Sequence, residues 1–199
     1  GRVRSHWIES LSKDIALLKS EGKQVVLVSS GSIAIGREIL KLTSNMIKLE
    51  EKQAAAAVGQ GKLVQLWAHY LAQHKITAAQ ILLAPDDTET RRRHLNARAT
   101  IKTLLNLGVV PVVNEDDTVT TYEIRFGDND RLAARVAGMI SADLVILLSD
   151  IDGLYNTDPS LDPKATHVEE VNEITETILA MGGSACLLYT SPSPRDLDL

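Results

Sequence analysis

Apolar residues along the chain alternate between two rhythms. In "SHWIESLSKDIALLKSEG", Ile8, Leu11, Ile15 and Leu18 fall at helical spacing, which predicts an amphipathic helix stopped by Gly22. "QVVLVSS" (Gln24–Ser30) is a short β-branched run between Gly22 and Gly31, the pattern of a buried strand. The alanine-rich stretch "EKQAAAAVGQGKLVQLWAHYLAQH" returns to helix. The apolar run "TAAQILLA", a helix at "RRRHLNARATIKTLLNLG" with Gly108 as its C-cap, and the strand "VVPVVNE" (Val109–Glu115) repeat the alternation. "TVTTYEIRF" (Thr118–Phe126) has the β-branched and aromatic content of one or two further strands. A helix over Arg131–Ser141 then leads to a strand at "LVILLSD" (Leu144–Asp150). Strands alternating with helices at this spacing predict an α/β fold with a mostly parallel sheet and helices on both faces. No repeat or linker interrupts residues 1–185, so one domain is expected there.

Both ends break the rhythm. The chain starts at Gly1 and enters a helix at once, so the strand at Val25–Val28 needs a neighbour that the following sequence does not obviously supply. At the other end, "CLLYTSPSPRDLDL" (Cys186–Leu199) carries two Ser-Pro pairs and no periodicity. It is expected to be a non-native or disordered tail.

Composition narrows the picture mainly by exclusion. Apolar residues at 44% against 24% charged give a globular chain rather than a disordered one. A net charge of −5 argues against general binding to nucleic acid or to an anionic membrane surface. No apolar run approaches the roughly 20 residues of a membrane span. The single cysteine, Cys186, excludes an internal disulfide and fits a reducing, cytoplasmic setting. The five histidines lack metal-ligand spacing and read as structural or surface residues.

Candidate chemistry sits where strands end, because ligands of open α/β sheets bind outside the carboxyl ends of the strands. "SSGS" (Ser29–Ser32) is a glycine turn at a strand-to-helix junction, either an anion-binding helix start or a tight turn with a serine N-cap. It lacks the lysine and spacing of a Walker A loop. "NEDDTV" (Asn114–Val119) gathers carboxylates and an amide past a buried strand, and "GDND" (Gly127–Asp130) supplies a second such cluster. Clustered carboxylates repel unless a cation shares the site, so the pair suggests Mg²⁺ or a substrate ammonium. One residue of Asp128, Asn129 and Asp130 is expected to cap the following helix. The basic stretch around Arg91–Arg93 and "LNAR" (Leu95–Arg98) reads as a solvated face. "GLYNTDPSLDPKA" (Gly153–Ala165) is a Pro- and Asp-rich loop that either covers a nucleotide base or merely connects elements.

As an ordered set, "VVLVSSGSIAIGR", "KQAAAAVGQGKL", "LNAR", "VVPVVNEDDTV", "GDND" and "LLSDIDGLYNTDP" resemble the amino acid kinase family, most closely its glutamate-phosphorylating branch. The resemblance covers about residues 8–183. It implies a three-layer α/β/α sandwich and transfer of the γ-phosphoryl group of ATP, with Mg²⁺, to the side-chain carboxylate of L-glutamate. That is the first step of proline biosynthesis. By the same resemblance, Ser30, Gly31, Asn114, Asp117, Asp128 and Asn129 would bind the substrate. Asp130 would organise catalytic lysines, and Ser149, Asp150, Gly153, Tyr155 and Asp158 would contact the nucleotide. No residue is assigned to metal ligation. Feedback inhibition by proline and homo-oligomers are implied in the same way.

The physical needs agree, since phosphoryl transfer asks mainly for alignment and for positive charge near the transferring oxygens. One departure is large. The family's opening lysine strand ("VVKxGS"-like) and its glycine-rich loop ending in lysine ("GTGGMxTK"-like) are not among these residues. Losing either lysine costs about several kcal/mol of transition-state stabilisation, so the 199-residue chain by itself is expected to be a truncated, inactive core. The alternatives are an acetylglutamate kinase-like enzyme, which needs no free-ammonium site, and a non-catalytic amino-acid sensor.

Overall fold

The computed structural model describes residues 4–43, 48–119, 129–149 and 151–181. The chain folds as two compact units that divide between Val145 and Ile146.

The first unit alternates helix and strand as the apolar rhythm predicts: α1 (Ser5–Ser20), β1 (Leu27–Val28), α2 (Ser32–Ile39), α3 (Leu49–Ala72), β2 (Ala78–Leu83), α4 (Pro85–Glu89), α5 (Arg91–Asn106), β3 (Val110–Glu115) and α6 (Asn129–Ile140). The predicted stops hold. Gly22 and Gly108 lie just past α1 and α5 and return their N–H groups to the Lys19 and Leu105 carbonyls, each at 3.0 Å. The sheet order is β1-β3-β2, and both pairings are parallel, with Leu27 opposite Val112 and Ala78 opposite Val110.

β3 is buried along its whole length, as a central parallel strand must be. Val110 and Val112 pack with Ile8, Ile15, Ile35, Leu63, Trp67 and Leu71 from α1, α2 and α3. Val113 points the other way, into Leu83, Ile101, Leu105, Leu132, Val136 and Met139, mostly from α5 and α6. Period-two alternation of one strand thus feeds two cores, and the result is three layers. Asn114 continues the parity of Val110 and Val112, towards α2 and α3.

The second unit has a short antiparallel pair, β4 (Leu154–Tyr155) with β5 (His167–Val168), and α7 (Glu176–Met181). Among the described residues, no helix is long and apolar enough to cross a membrane.

Three expectations need correction. Leu144–Ser149 forms no strand, and Leu144 and Leu148 are 74% and 61% exposed. An apolar run becomes a buried strand only where a ladder and two helical layers receive it, and this one pairs with no described strand. The strand at Val25–Val28 is half-buried rather than buried, because among the described residues β1 lies at the edge of its sheet with only two ladder residues. The turn after it is not capped by a serine: Gly31 holds the N-cap position of α2 at φ +104° with no side-chain cap, a conformation suited to glycine. The strands proposed within Thr118–Phe126 lie outside the described residues from Thr120 on, and Asp117–Val119 is a turn. The tail Cys186–Leu199 is also outside them.

Candidate active site

Two helices cross so closely that backbone meets backbone. A Cβ on Gly36 of α2 would fall on the Ala55 carbonyl of α3, and one on Gly59 would fall on the Ser32 carbonyl. Glycine at both places brings the start of α2 hard against the middle of α3. Trp67 of α3 also donates from Nε1 to Ser29 Oγ at 3.0 Å, pinning the turn from its β1 side. The "SSGS" turn is therefore held from below by a rigid helix.

That placement puts Ser32, 1% exposed, against the end of β3. Its hydroxyl donates to Asp117 Oδ2 at 3.2 Å and accepts from Asn114 Nδ2 at 3.3 Å. Asn114, fully buried, also donates from Nδ2 to Gln60 Oε1 on α3 at 2.8 Å. Asn129, the first residue of α6, donates from Nδ2 to Asn114 Oδ1 at 3.0 Å. Elements distant in sequence thus converge where strand β3 ends, through buried (Ser32, Gln60, Asn114) and half-buried (Asp117, Asn129) side chains bonded to one another. Gln60 Nε2 and Asn129 Oδ1 are buried and have no hydrogen-bond partner among the described residues.

Of the residues expected to bind substrate, Asn114, Asp117 and Asn129 join this one network. Gly31 opens α2 directly beside it. Ser30 is exposed, two residues before Ser32 in the same turn. Asp130 follows Asn129 in the first turn of α6. Asp128, and with it the residue preceding α6, lies outside the described residues, so the expected cap does too. Sequence reading missed Ser32 and Gln60. Gln60 had a signal, because it shares one face of α3 with Ala56, Leu63, Trp67 and Leu71, all buried. A glutamine in an apolar stripe needs a partner.

The residues expected to contact nucleotide belong to the second unit, apart from Asp150, which lies outside the described residues. Tyr155 Oη donates to Asp152 Oδ1 at 2.9 Å. That bond holds the Asp152 carboxyl below its ordinary range and pushes the phenol up. Asp158 Oδ1 accepts from the Ser160 backbone N–H at 2.8 Å and from its hydroxyl at 2.7 Å, and Ser149 Oγ accepts from Ile151 N–H at 3.4 Å. Gly153 lies against the His167 ring. Tyr155 and Asp158 line a cleft of about 310 Å³ with Leu154, Leu161 and Met181, near the lower end for a ligand site. Among the described residues, no three His, Cys, Asp or Glu side chains gather to hold a metal.

Comparison with known proteins places these features. The amino acid kinase family profile matches residues 2–189. The chain is 56% identical over 193 residues to the glutamate 5-kinase of Gluconobacter oxydans, covering 97% of this chain and 51% of that protein. It is 58% identical over 191 residues to the glutamate 5-kinase of Paramagnetospirillum magneticum, covering 96% and 51%. The chain therefore spans about half the length of the curated relatives it matches. A solved aspartate kinase from Synechocystis superposes with a TM-score of 0.50 at 18% identity, over 81% of this chain and 29% of that one. That likeness bears on the fold alone, and it agrees with helices layered on a parallel sheet. The chain belongs to the amino acid kinase family.

Proposed function

We propose that this chain is the substrate-binding part of an enzyme that phosphorylates the side-chain carboxylate of L-glutamate with ATP, giving glutamyl 5-phosphate, the first step of proline biosynthesis. The observation that carries the reading is the Ser32–Asn114–Asn129–Asp117 network at the end of β3. It belongs to a chain more than half identical to proteins named glutamate 5-kinase.

The chemistry of the network suits the substrate. Glutamate brings one ammonium and two carboxylates. Asp117 and the carbonyl oxygen of Asn129 offer acceptors for the ammonium. The turn Ser30–Gly31 and the N-terminus of α2 offer N–H and hydroxyl donors to a carboxylate. Asp128 is assigned to the same group, and Asp130 to orienting the cationic residues that meet the transferring phosphoryl group. Ser149, Asp150, Gly153, Tyr155 and Asp158 are assigned to ATP, with the 310 Å³ cleft as part of that contact.

Mg²⁺ would neutralise charge on the nucleotide phosphates. The described residues offer it no ready cage of three acidic or histidine side chains, so no protein ligand is assigned. We extend the reading to one kinase domain over residues 1–185, a homo-oligomer, feedback inhibition by proline and a cytoplasmic location.

Neither lysine-bearing motif lies within these 199 residues, so the activity test belongs to this chain in a reading frame that supplies both. Hydroxylamine trapping with L-glutamate and ATP–Mg²⁺ should give the hydroxamate. N-acetylglutamate should give none. A product from N-acetylglutamate alone would move the assignment to the acetylglutamate kinase-like alternative.

A further inference from the structure

Three side-chain amides cross the site with one polarity. Asn129 Nδ2 donates to Asn114 Oδ1 at 3.0 Å, and Asn114 Nδ2 donates to Gln60 Oε1 at 2.8 Å. Each amide has an oxygen end that only accepts and a nitrogen end that only donates. Reversing one would therefore set oxygen against oxygen or nitrogen against nitrogen in its neighbours.

The direction has a cause. Ser32 commits its hydroxyl proton to the Asp117 carboxylate at 3.2 Å, so towards Asn114 it can only accept. Asn114 must then turn Nδ2 to Ser32, at 3.3 Å, and its second Nδ2 proton needs another acceptor. Gln60 Oε1 is that acceptor. With Nδ2 so held, Asn114 Oδ1 faces α6 and takes the Asn129 amide proton. Asn129 is left with its own oxygen buried and without a partner among the described residues.

We infer that Gln60 is a positioning residue: by accepting the second Asn114 proton it locks the amide polarity that leaves Asn129 Oδ1 as an acceptor for the substrate ammonium. This rests on the reading of an α-amino acid as substrate. Gln60 touches no substrate in this scheme, and its buried position, 6% exposed, accords with that.

The test uses the chain in its full-length frame, with L-glutamate and with glutarate, which lacks the ammonium, each as substrate or competing ligand. Gln60→Met keeps the length of the side chain and removes its acceptor. It should lower kcat/KM for glutamate about tenfold, mostly through KM, with glutarate affinity and the KM for ATP within about twofold of the parent. Gln60→Glu retains an acceptor and should keep the preference for glutamate over glutarate. Equal losses for both ligands in Gln60→Met, or none for either, would overturn the inference. Should Gln60→Met fail to fold, Gln60→Asn withdraws the same amide by one methylene and must show the same selective loss. An unsubstituted protein inert towards glutamate would instead overturn the functional reading, and the inference with it.

Discussion

The network around Ser32 and the loop around Asp158 are both polar and both candidates for ligand contact, yet they are built in opposite ways. Ser32, Gln60, Asn114 and Asn129 come from α2, α3, β3 and α6, and they bond across sequence separations of 15, 54 and 82 residues. Asp158 and Asp162 each close a local turn, accepting from Ser160 and Lys164 two residues on. The first arrangement exists only when the whole first unit has folded. The second forms wherever the chain makes an Asx turn. A site that must hold a small zwitterion in one pose gains from the first kind of construction. A loop over a nucleotide can be assembled from the second.

The sharpest way to break this contrast is to lift α2 off α3. Gly59→Val forces a branched side chain onto the Ser32 carbonyl. Neither backbone can yield without moving a helix, so the cost should be about 4 kcal/mol, beyond the usual overpacking range of about 1–3. Chemical denaturation should show it as a lower midpoint, with glutamate affinity lost as Ser32 moves. Gly61, two residues on, has nothing within 4 Å of its missing Cβ. Gly61→Ala in the same helix should stabilise by about 0.5–1 kcal/mol. If both substitutions behave alike, the close crossing does not position the turn.

A second comparison sets one polar residue from each region side by side. Asn114→Leu fills the space but strands Gln60 Oε1, Ser32 Oγ and Asn129 Nδ2, and should cost about 3 kcal/mol. For a chain of this size, the melting temperature should fall by about 6–12 °C. Asp158→Ala removes a local turn bond and should cost about 1 kcal/mol or less. Similar melting shifts for the two variants would mean that the amide network is no more tightly coupled than a loop.

How much of this could be read beforehand follows the same division. Helix stops at Gly22 and Gly108 and the buried strand Val110–Glu115 were legible because their causes are local: a glycine after a periodic run, or a run without polar breaks. The three-residue overlap of interest, Asn114, Asp117 and Asn129, was legible as chemistry, since short polar side chains stood where strands end. Ser32 was not, and Gln60 offered only its place in an apolar helix face, because both roles depend on a helix crossing set by Gly36 and Gly59. Leu144–Leu148 misled for the opposite reason. Its composition suits a central strand, but composition cannot supply the neighbour that a strand requires.

The smallest effect belongs to the second unit and turns on a proton. The Tyr155 hydroxyl donates to the Asp152 carboxylate at 2.9 Å, lowering the carboxyl pKa and raising that of the phenol. A lowered acid contributes stability above its unfolded value, near 3.9, and loses it as pH falls through the folded one. A raised phenol contributes below its unfolded value, near 10, and loses it as pH rises. One bond therefore supports the β4–β5 hairpin between about pH 4 and 10 and weakens at either end. Both groups are exposed to solvent, so the effect should be confined to the hairpin, with the first unit's unfolding midpoint unchanged. In Tyr155→Phe, the Asp152 carboxyl resonance should titrate closer to an ordinary aspartate. His167, in edge-to-face contact with the Tyr155 ring at 5.2 Å, should keep its packing. An unmoved Asp152 titration would show that the backbone turn, not the phenol, holds the carboxylate ionised. The loop would then be still more self-contained than its contrast with the buried amides already makes it.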